Sequence, residues 1–552
     1  MVWKYVVPLY ISWRIYAANR MPILDCDEVF NYWEPLHFLS HGSGLQTWEY
    51  APNYALRTYA YLRPMQWYSR LVSPVASIVA PMLVDHQVST VKLATFIVLR
   101  STLAALSACG ELIFVTALSQ DVPFAESLTR QTLVSKSVSY TTALLLLTSA
   151  GMTHAAGAYL PSSSVMIAWM LCASFYVRMQ VRLFCALAVV ATLCLGWPFG
   201  VIVFVPMGID ILRRDRFPIR LMCGVALWTV LVQTVVMLLD YQQYGKWTSA
   251  ILNIFRYNAQ SGGDELYGIE PASFYFKNLS LNFNYVAILG MLFLPLSMLL
   301  RFCKRPLPTS LIVLVAPLYL WLAIVVPRPH KEERFLFPIY PALVLAAVLV
   351  VQQVWNAVCL GQRSKAHAWR QNLWILCLLP SCLISQSRSM ALSKYYTAPL
   401  KVFAALPVST PGLVCTCGEW YRFPSSYYLP QGYQLGFLPS SFSGQLPKAF
   451  GPEGSRAGSN FNDANKEEHD RYVDPDSCDY VVELESSADA DCLAVMSKSS
   501  SVEWTKLVNE PFLNAQETAS LHRILYIPFL HKAVYSSYSL YARKVSDAVL
   551  WT

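Results

Sequence analysis

The feature that most constrains the fold of this chain is a series of long apolar runs along its first 387 residues. They lie near 2–18, 66–84, 93–118, 136–150, 160–177, 183–211, 221–239, 283–300, 309–326, 335–357 and 371–387. A helix needs roughly 20 residues to cross a hydrocarbon core ~30 Å thick. The pattern predicts a polytopic α-helical membrane protein with about 10 to 13 spans. Runs that are too short for a span predict broken or re-entrant helices that face protein rather than lipid.

The composition excludes an ordinary soluble enzyme. Charged residues make up only 14% of the 552 residues and hydrophobic residues 55%, whereas soluble domains carry roughly 25% charged residues. The net charge of +8 does not form a long basic stripe with interleaved aromatics, so we expect no nucleic-acid partner. We predict that the first apolar run is a retained span. The alternative is a cleavable signal peptide that ends near Ala17-Ala18.

Basic residues between the apolar runs predict the orientation. They cluster at 213–220, 301–305 and 363–370, and two spans separate each neighbouring pair of clusters. All three clusters therefore face one side, which the positive-inside rule identifies as the cytoplasm.

The polar segments on the other side are then lumenal. They are a first loop at 19–64, further loops at 240–282 and 327–334, and the C-terminal part of the chain. Residues 1–387 form the predicted transmembrane module. From 388 to 552, Pro, Gly and Ser increase and apolar runs shorten to strand length, which predicts a lumenal α+β domain.

The first loop, 19–64, concentrates acids and aromatics. It contains nine aromatic residues between 30 and 61 and the acids Asp25, Asp27, Glu28, Glu34 and Glu49. Aromatic faces can stack on pyranose rings and carboxylates accept protons from hydroxyls, which favours sugar recognition. If 25–34 is helical, Asp27, Asn31 and Glu34 share one face. The alternative is an interfacial amphipathic helix whose aromatics lie among the lipid headgroups.

The short connector at 327–334 is unusually charged. It holds five charged residues and a histidine in eight positions. His330, Lys331 and Arg334 could hold a phosphate through charge-assisted hydrogen bonds, with Glu332 and Glu333 orienting the cations. The alternative is a solvated loop whose charges pair with one another.

Two ionisable residues lie inside an apolar run. Arg100 and Glu111 are eleven positions apart, about three helical turns along one face. Such residues commonly face a polar cavity and mark function. The alternative is that each satisfies a neighbouring helix.

Three motifs carry a resemblance to a known family. They are Asp25–Pro35 together with Gln46–Tyr50, His330–Leu336, and Glu419–Ser426. These motifs resemble those of the dolichol-phosphate-mannose-dependent alpha-1,2-mannosyltransferases of N-glycan precursor assembly, which belong to the GT-C superfamily. With Tyr244–Lys246 and Gly268–Pro271, the similarity extends over essentially the whole chain.

The resemblance implies a GT-C fold in the endoplasmic reticulum membrane, with lumenal loops that form the site. It implies transfer of mannose from dolichyl phosphate mannose to a dolichyl-diphosphate-linked oligosaccharide, in alpha-1,2 linkage, at six- and eight-mannose acceptors. The donor is beta-linked and the product alpha-linked, so the anomeric centre inverts. Membrane lipid is a further partner, and neither a cofactor nor a metal is expected, because basic side chains can neutralise a departing monophosphate.

Roles for individual residues follow from the same resemblance. Asp27 matches the general base. Residues that would support it or bind the acceptor are Asp25, Glu28, Glu34, Trp48, Glu49 and Tyr50. Residues that would hold the donor phosphate are His330, Lys331, Arg334, Arg57 and Arg100. Cys415 is the first choice of disulfide partner for Cys478, although Cys417, an additional cysteine, departs from the family pattern.

Two other functions remain as alternatives. A related GT-C mannosyltransferase of glycolipid-anchor synthesis would share the first two motifs, but the Glu419–Ser426 block argues against it. A lipid-linked sugar flippase or transporter would need polar groups at the bilayer midplane and usually internal repeats. The acids of this chain lie instead in polar loops, and its sequence shows no repeat.

Overall fold

A computed structural model describes most of the chain. The described residues are 3–123, 130–259, 264–358, 372–409, 411–456, 460–485, 492 and 503–544. The predicted basic cluster at 363–370 lies outside them. Within these ranges the chain forms a helical module followed by a domain built on a β-sheet.

The helical module extends to residue 404. Its first half contains α1 (Trp3–Asn19), α2 (Cys26–Glu28), α3 (Glu34–His41), α4 (Leu62–Val79), α5 (Val91–Leu118), α6 (Lys136–Thr148), α7 (Ala150–Gly157), α8 (Pro161–Val177), α9 (Val181–Cys194) and α10 (Val205–Arg214). Its second half contains α11 (Pro218–Tyr244), α12 (Ala250–Ala259), α13 (Ser273–Phe283), α14 (Tyr285–Met291), α15 (Phe293–Phe302), α16 (Thr309–Val325), α17 (Tyr340–Val358), α18 (Leu379–Tyr395) and α19 (Ala398–Ala404). The short strands β1 (Leu45–Gln46), β2 (Asp121–Pro123) and β3 (Arg130–Thr132) interrupt the first half.

Several helical stretches are long and apolar enough to cross a membrane. Among the described residues these are Val91–Leu118, Pro218–Tyr244, Tyr285–Phe302, Glu333–Val358 and Asn372–Ala404. A sixth is the pair α7 and α8, which is bent by 108°, and α9 and α16 are shorter apolar helices. These spans confirm the polytopic helical class, while the total of about ten to thirteen spans stays a prediction.

The bend between α7 and α8 places a helix start beside the polar loops. Gly157 ends α7 where the side chain of Ala18 approaches so closely that a Cβ at position 157 would lie 2.9 Å from it. Pro161 begins α8, where a missing N–H costs no helical hydrogen bond. The chain therefore breaks at 158–160 and turns the start of α8 toward the interior of the module.

The two ionisable residues of α5 form hydrogen bonds with different neighbours. Glu111 accepts a hydrogen bond from Arg14 of α1 at 2.6 Å and another from Tyr10 at 2.5 Å, and the side chains of Arg14 and Glu111 are fully buried. Arg100 donates to the carbonyl of Pro22 at 3.3 Å. Glu111 therefore satisfies a neighbouring helix, as the alternative expected, whereas Arg100 contacts the segment that follows α1.

The C-terminal domain is built on one mixed sheet. Its strands are β4 (Leu413–Thr416), β5 (Gln434–Phe437), β7 (Tyr480–Glu485), β8 (Trp504–Leu513) and β9 (Tyr535–Arg543), in the order β5-β4-β7-β9-β8. Strand β4 runs parallel to β5 and β7, and β9 runs antiparallel to β7 and β8. A short helix, α20 (Ser520–Ile524), lies between β8 and β9.

The predicted domain boundary at 388 falls inside α18. The helix continues to Tyr395, and the sheet begins only at Leu413. The composition changes at 385–389, where serines and Arg388 replace apolar residues, but the polar stretch remains helical because α18 packs against α6, α7 and α13. A change in composition therefore precedes the change in secondary structure.

Two disulfides stabilise the sheet domain. Cys415 pairs with Cys478, the pairing expected from the resemblance, and closes a loop of 63 residues. Cys417, the additional cysteine, pairs with Cys492 across 75 residues. Both bridges begin in or directly after β4, so they fix this strand to segments that follow it in the chain.

The sheet domain and the helical module share a junction. Strand β6 (Lys448–Ala449) pairs antiparallel with β1 of the first loop, with Leu45 opposite Ala449. This pairing places the first loop between the helices and the sheet domain.

Candidate active site

A large cavity lies where the first loop, the charged connector and the C-terminal domain meet. Its volume is about 760 Å³. Its ionisable lining within the described residues consists of Cys26, Asp27, Tyr32, Glu49, Arg57, Tyr257, Tyr267, Tyr275, Arg328, His330, Glu332 and Arg334. Polar groups from segments distant in sequence thus converge on one space large enough for a sugar substrate.

The start of the first loop is shaped by a helix cap and a π turn. Asp25 caps α2 by accepting the backbone N–H of Asp27 at 2.9 Å. Residues 29–33 then form one turn of π-helix before α3 begins at Glu34. Because a π turn holds an extra residue, it rotates the residues after the turn relative to those before it. Asp27 and Asn31 line the cavity, whereas Glu34 points away from it.

Arg334 joins the two charged loops. Its Nη1 lies 2.6 Å from Oδ1 of Asp25 and its Nη2 lies 2.5 Å from Oδ2 of Asp27, which is 307 positions away in sequence. It also pairs with Glu332. The Asp27 side chain keeps 33% of its surface exposed toward the cavity, whereas Arg334 keeps 12%. One guanidinium therefore orients the carboxylates that the sequence singles out.

The two aspartates differ in pKa because their surroundings differ. Burial raises the pKa of Asp25 to about 7, and the nearby negative charge of Glu332 adds to that effect, against the opposing attraction of Arg334. Burial acts in the same direction on Asp27, but Arg334 and Arg57 outweigh it and hold the pKa of Asp27 below its usual value. Asp27 is therefore the carboxylate that stays ionised at neutral pH.

A second ion pair lies beside the first. Arg57 forms a bidentate pair with Glu49, with nitrogen–oxygen distances of 3.1 and 2.8 Å, and donates to the hydroxyl of Tyr32 at 2.7 Å. Burial raises the pKa of Glu49, against the attraction of Arg57. The predicted residues Arg57 and Glu49 both line the cavity.

His330 is the third predicted phosphate ligand that reaches the cavity. Its Nε2 lies 3.2 Å from Glu332, and its Nδ1 lies 3.2 Å from the carbonyl oxygen of Gly268. Burial alone would lower the pKa of His330, but these acceptors outweigh burial and raise it. The histidine is therefore biased toward its cationic form near neutral pH.

Besides Asp25, which is not among the lining residues, three of the predicted acceptor-binding residues lie outside the cavity. Glu28 is buried and accepts the indole N–H of Trp33 and the backbone N–H of Tyr159, both at 2.9 Å. Tyr50 is fully buried and donates to the carbonyl of Asn31 at 2.8 Å. These side chains hold the loop in shape, because burial commits their polar atoms to partners within the protein.

The third of them, Glu34, joins the first loop to the C-terminal domain. Its Oε1 accepts the Ser425 hydroxyl at 2.9 Å and the Ser426 N–H at 2.6 Å. Its Oε2 accepts the Ser426 hydroxyl at 2.7 Å and the Leu45 N–H at 3.0 Å. The motif 419–426 thus meets the first motif through this fully buried carboxylate.

Two of the predicted phosphate-binding cations also lie elsewhere. The ammonium of Lys331 is buried and donates to the carbonyl oxygens of Glu270, at 2.7 Å, and of Arg328. Arg100 is buried between helices and contacts Pro22. Both cations face backbone carbonyls rather than the cavity, so of the five proposed phosphate ligands only Arg57, His330 and Arg334 line it.

The aromatic wall includes residues to which the sequence assigned no role. Trp48, which was predicted, lies 5.2 Å from the ring of Tyr257. Trp420 of the third motif lies 4.7 Å from the ring of Phe442, and both line the cavity. The motif that contains Trp420 was visible in the sequence, but a sequence offers no signal that its loop reaches a cavity near α2.

The described residues contain no group of three or more His, Cys, Asp or Glu side chains arranged to hold a metal ion. The carboxylates of Asp25, Asp27 and Glu332 converge instead on the guanidinium of Arg334. The guanidinium is thus the positive group that these three carboxylates face.

The fold is that of the GT-C membrane glycosyltransferases. The solved structure of ArnT from Cupriavidus metallidurans bound to undecaprenyl phosphate superposes with a TM-score of 0.52 at 10% identity, over 92% of this chain and 97% of that chain. The apo form of the same enzyme gives a TM-score of 0.50. The GT-C fold predicted from the sequence is therefore confirmed.

Residues 5–430 match the Alg9-like mannosyltransferase family, and the chain belongs to that family. It is 37% identical to the alpha-1,2-mannosyltransferase ALG9 of Mus musculus, over 96% of this chain and 87% of that protein. It is 29% identical to ALG9 of Saccharomyces cerevisiae over 93% of this chain and 90% of that protein. GPI mannosyltransferase 3 of Candida albicans is similar over only 27% of this chain and 28% of its own length, at 29% identity.

Proposed function

We propose that this protein transfers mannose from dolichyl phosphate mannose to a dolichyl-diphosphate-linked oligosaccharide, in alpha-1,2 linkage and with inversion. The acceptors are those with six and eight mannoses. The observation that carries the proposal is the contact of Arg334 with Asp27 at the wall of a sugar-sized cavity. A base and a phosphate-binding cation, both needed for inversion, are thereby brought within one hydrogen bond of each other.

The reaction is a single displacement. The Asp27 carboxylate accepts the proton of the acceptor's 2-hydroxyl as that oxygen bonds to the anomeric carbon. The bond from the anomeric carbon to the phosphate oxygen breaks at the same time, and its electron pair leaves with dolichyl phosphate. Arg334, Arg57 and His330 stabilise the charge on the departing phosphate, since all three line the cavity.

The resting ion pair explains how Asp27 becomes a base. Without donor, Arg334 and Arg57 hold the pKa of Asp27 low and make its carboxylate a weak proton acceptor. A bound phosphate competes for the same guanidinium groups through charge-assisted hydrogen bonds. As their charge is shared with the phosphate, the pKa of Asp27 rises and its proton affinity increases.

The remaining assignments rest on the relatives that the chain matches. We place the protein in the endoplasmic reticulum membrane, with the cavity and the C-terminal domain in the lumen, in N-glycan precursor assembly. No metal is required, because the cavity wall supplies cationic side chains for a monophosphate leaving group. Turnover that is unchanged in excess EDTA would support this, and turnover that EDTA abolishes and a divalent cation restores would contradict it.

The decisive experiment is transfer by purified Asp27→Asn with dolichyl phosphate mannose and a six-mannose acceptor. We expect kcat to fall by about 10²–10⁴-fold, the range for loss of a general base. Thermal stability should change little, because Arg334 keeps its contacts with Asp25 and Glu332. Asp85→Asn is the matched control, since Asp85 is an exposed acid remote from the cavity lining. Near-normal turnover by Asp27→Asn would refute the assignment.

A further inference from the structure

A long excursion connects β8 and β9 in the C-terminal domain. We call residues 514–534 the finger. Hairpin connections usually take 2–5 residues, and longer ones are commonly functional. The base of the finger is pinned, because the N–H of Asn514 donates to the carbonyl of Val534 at 2.9 Å and the N–H of Val534 donates to the hydroxyl of Thr518 at 3.0 Å. The finger is therefore an ordered element of the domain.

The tip of the finger exposes an apolar run. Residues 527–530 read Ile-Pro-Phe-Leu, and all four are exposed. Phe529 is 101% exposed and Leu530 is 68% exposed. Phe529 has φ of +66°, a conformation that side chains with a Cβ rarely adopt, so the backbone is strained where the ring projects. Contiguous exposed apolar groups mark a surface that contacts a partner or a membrane.

The finger is hydrogen-bonded to α18, the last long helix of the membrane module. The N–H of Tyr526 donates to the carbonyl of Ser387 at 3.2 Å, and the Ser387 hydroxyl donates to the Tyr526 carbonyl at 2.9 Å. Arg388 donates to the carbonyl of Ile524 at 3.2 Å. These bonds fix the height of the finger along the helix axis.

The finger contacts α18 at the point where the sequence of the helix changes from apolar to polar. Residues 385–389 are Ser-Gln-Ser-Arg-Ser, whereas the stretch before them is apolar. Leu383, which is 75% exposed, and Ile384 lie one helical turn before Ser387 and on the same face. The exposed apolar side of the helix therefore lies one turn from the residues that hold the finger.

We propose that the tip of the finger, residues 527–530, inserts into the lipid bilayer at the boundary between headgroups and acyl chains. The occupant of this apolar surface is lipid, because the residue that precedes the tip is hydrogen-bonded to a helical stretch long and apolar enough to cross a membrane, one turn after the exposed apolar side chains of that stretch. Arg523 and Lys532 flank the tip, where their guanidinium and ammonium groups can reach lipid phosphates. This inference does not depend on the proposed reaction.

Insertion of the finger would hold the C-terminal domain against the membrane at a second point besides α18 itself. The same domain supplies Trp420 and Phe442 to the cavity wall. The finger therefore helps to fix the height of that wall above the bilayer surface.

The test places a photoreactive amino acid, p-benzoylphenylalanine, at position 529 of the full-length protein in phosphatidylcholine nanodiscs. The matched control carries the same amino acid at position 507, since Leu507 is also exposed and lies on β8. It is six residues before the end of the strand, about 20 Å from the base of the finger at ~3.3 Å per residue. Illumination crosslinks each probe to the molecule next to it, and mass spectrometry then identifies that molecule.

Lipid adducts at 529, with none above background at 507, are the expected result. Equal lipid adducts at both positions, adducts to a second copy of the chain, or no lipid adduct at 529 would overturn the proposal. Because the Phe529 side chain makes no buried contact, the probe should not disturb folding, and an unchanged thermal midpoint verifies this. The same probe at 530 serves as a second test position with the same expected outcomes.

Discussion

The connector at 327–334 offers a sharp test, because two of its cations carry the same charge but occupy different surroundings. Arg334 lies at the cavity wall in contact with Asp25 and Asp27. Lys331 is buried and bonded to backbone carbonyls. Replacing each by glutamine removes one positive charge from the same short segment. We expect Arg334→Gln to damage the reaction and Lys331→Gln to damage the fold.

The magnitudes depend on the groups that each side chain contacts. Loss of one preorganised group that stabilises transition-state charge lowers kcat by about 10²–10³-fold, which is about 3–4 kcal/mol. Arg334→Gln should still fold, because loss of the cation raises the pKa of Asp25 further above about 7 and leaves that group neutral at pH 7. Lys331→Gln loses charged hydrogen bonds to carbonyls, each worth about 1.5–3 kcal/mol, so its free energy of unfolding should fall by about 3 kcal/mol.

The assay measures mannose transfer per folded molecule together with the thermal midpoint of each purified variant. Arg334→Lys keeps the charge without the two-pronged geometry and should recover part of the lost turnover. If Lys331→Gln lost turnover as severely as Arg334→Gln while keeping the wild-type midpoint, the placement of the phosphate site would be wrong.

Three further outcomes are expected. Because burial raises the pKa of Asp25 to about 7, the folded protein retains a proton that the unfolded chain releases. This group therefore stabilises the fold at low pH and loses that effect between about pH 4 and pH 7. In Asp25→Asn, the thermal midpoint should depend less on pH across that range. Glu34→Gln should lower stability by about 2–4 kcal/mol in chemical denaturation, because each carboxylate oxygen faces one backbone N–H and the new amide must point a donor at one of them. Replacing Cys417 and Cys492 together by serine opens a loop of 75 residues and should cost about 4 kcal/mol by chain entropy. The thermal midpoint should fall, and reductant should lower it further only through the remaining Cys415–Cys478 bridge, whereas an unchanged midpoint would show that the Cys417–Cys492 bridge does not constrain the unfolded chain.

The sequence was sufficient to predict the class of fold and the two loops that meet. Long apolar runs predicted a helical membrane module, and charge density singled out 25–34 and 327–334. Charges in apolar surroundings are costly unless they are paired or functional, so their positions are informative even without coordinates. That argument singled out the two segments, and the family resemblance then singled out Asp27 as the base. The structure places the carboxylate of Asp27 2.5 Å from the guanidinium of Arg334.

The sequence could not separate side chains that face the cavity from those that hold the loop. Asp27, Asn31 and Glu34 share a face only in a regular helix, and the π turn at 29–33 removes Glu34 from it. Lys331 and Arg334 are three positions apart, yet Lys331 donates to the backbone carbonyl of Glu270, whereas Arg334 contacts carboxylates of the first loop. Such differences depend on contacts with distant segments, which local residue patterns do not encode.

The contact between Asp27 and Arg334 also has a consequence for the order of events in the proposed reaction. While the guanidinium faces the carboxylate, Asp27 has little affinity for the proton of an acceptor hydroxyl. A phosphate that takes over the guanidinium raises that affinity, so the base is activated by the donor and not by the acceptor. We therefore expect an acceptor that arrives first to remain unreactive until the donor binds. In the absence of substrate, Arg334 and Asp27 thus neutralise each other, and the phosphate of the donor then takes the place of Asp27 beside the guanidinium.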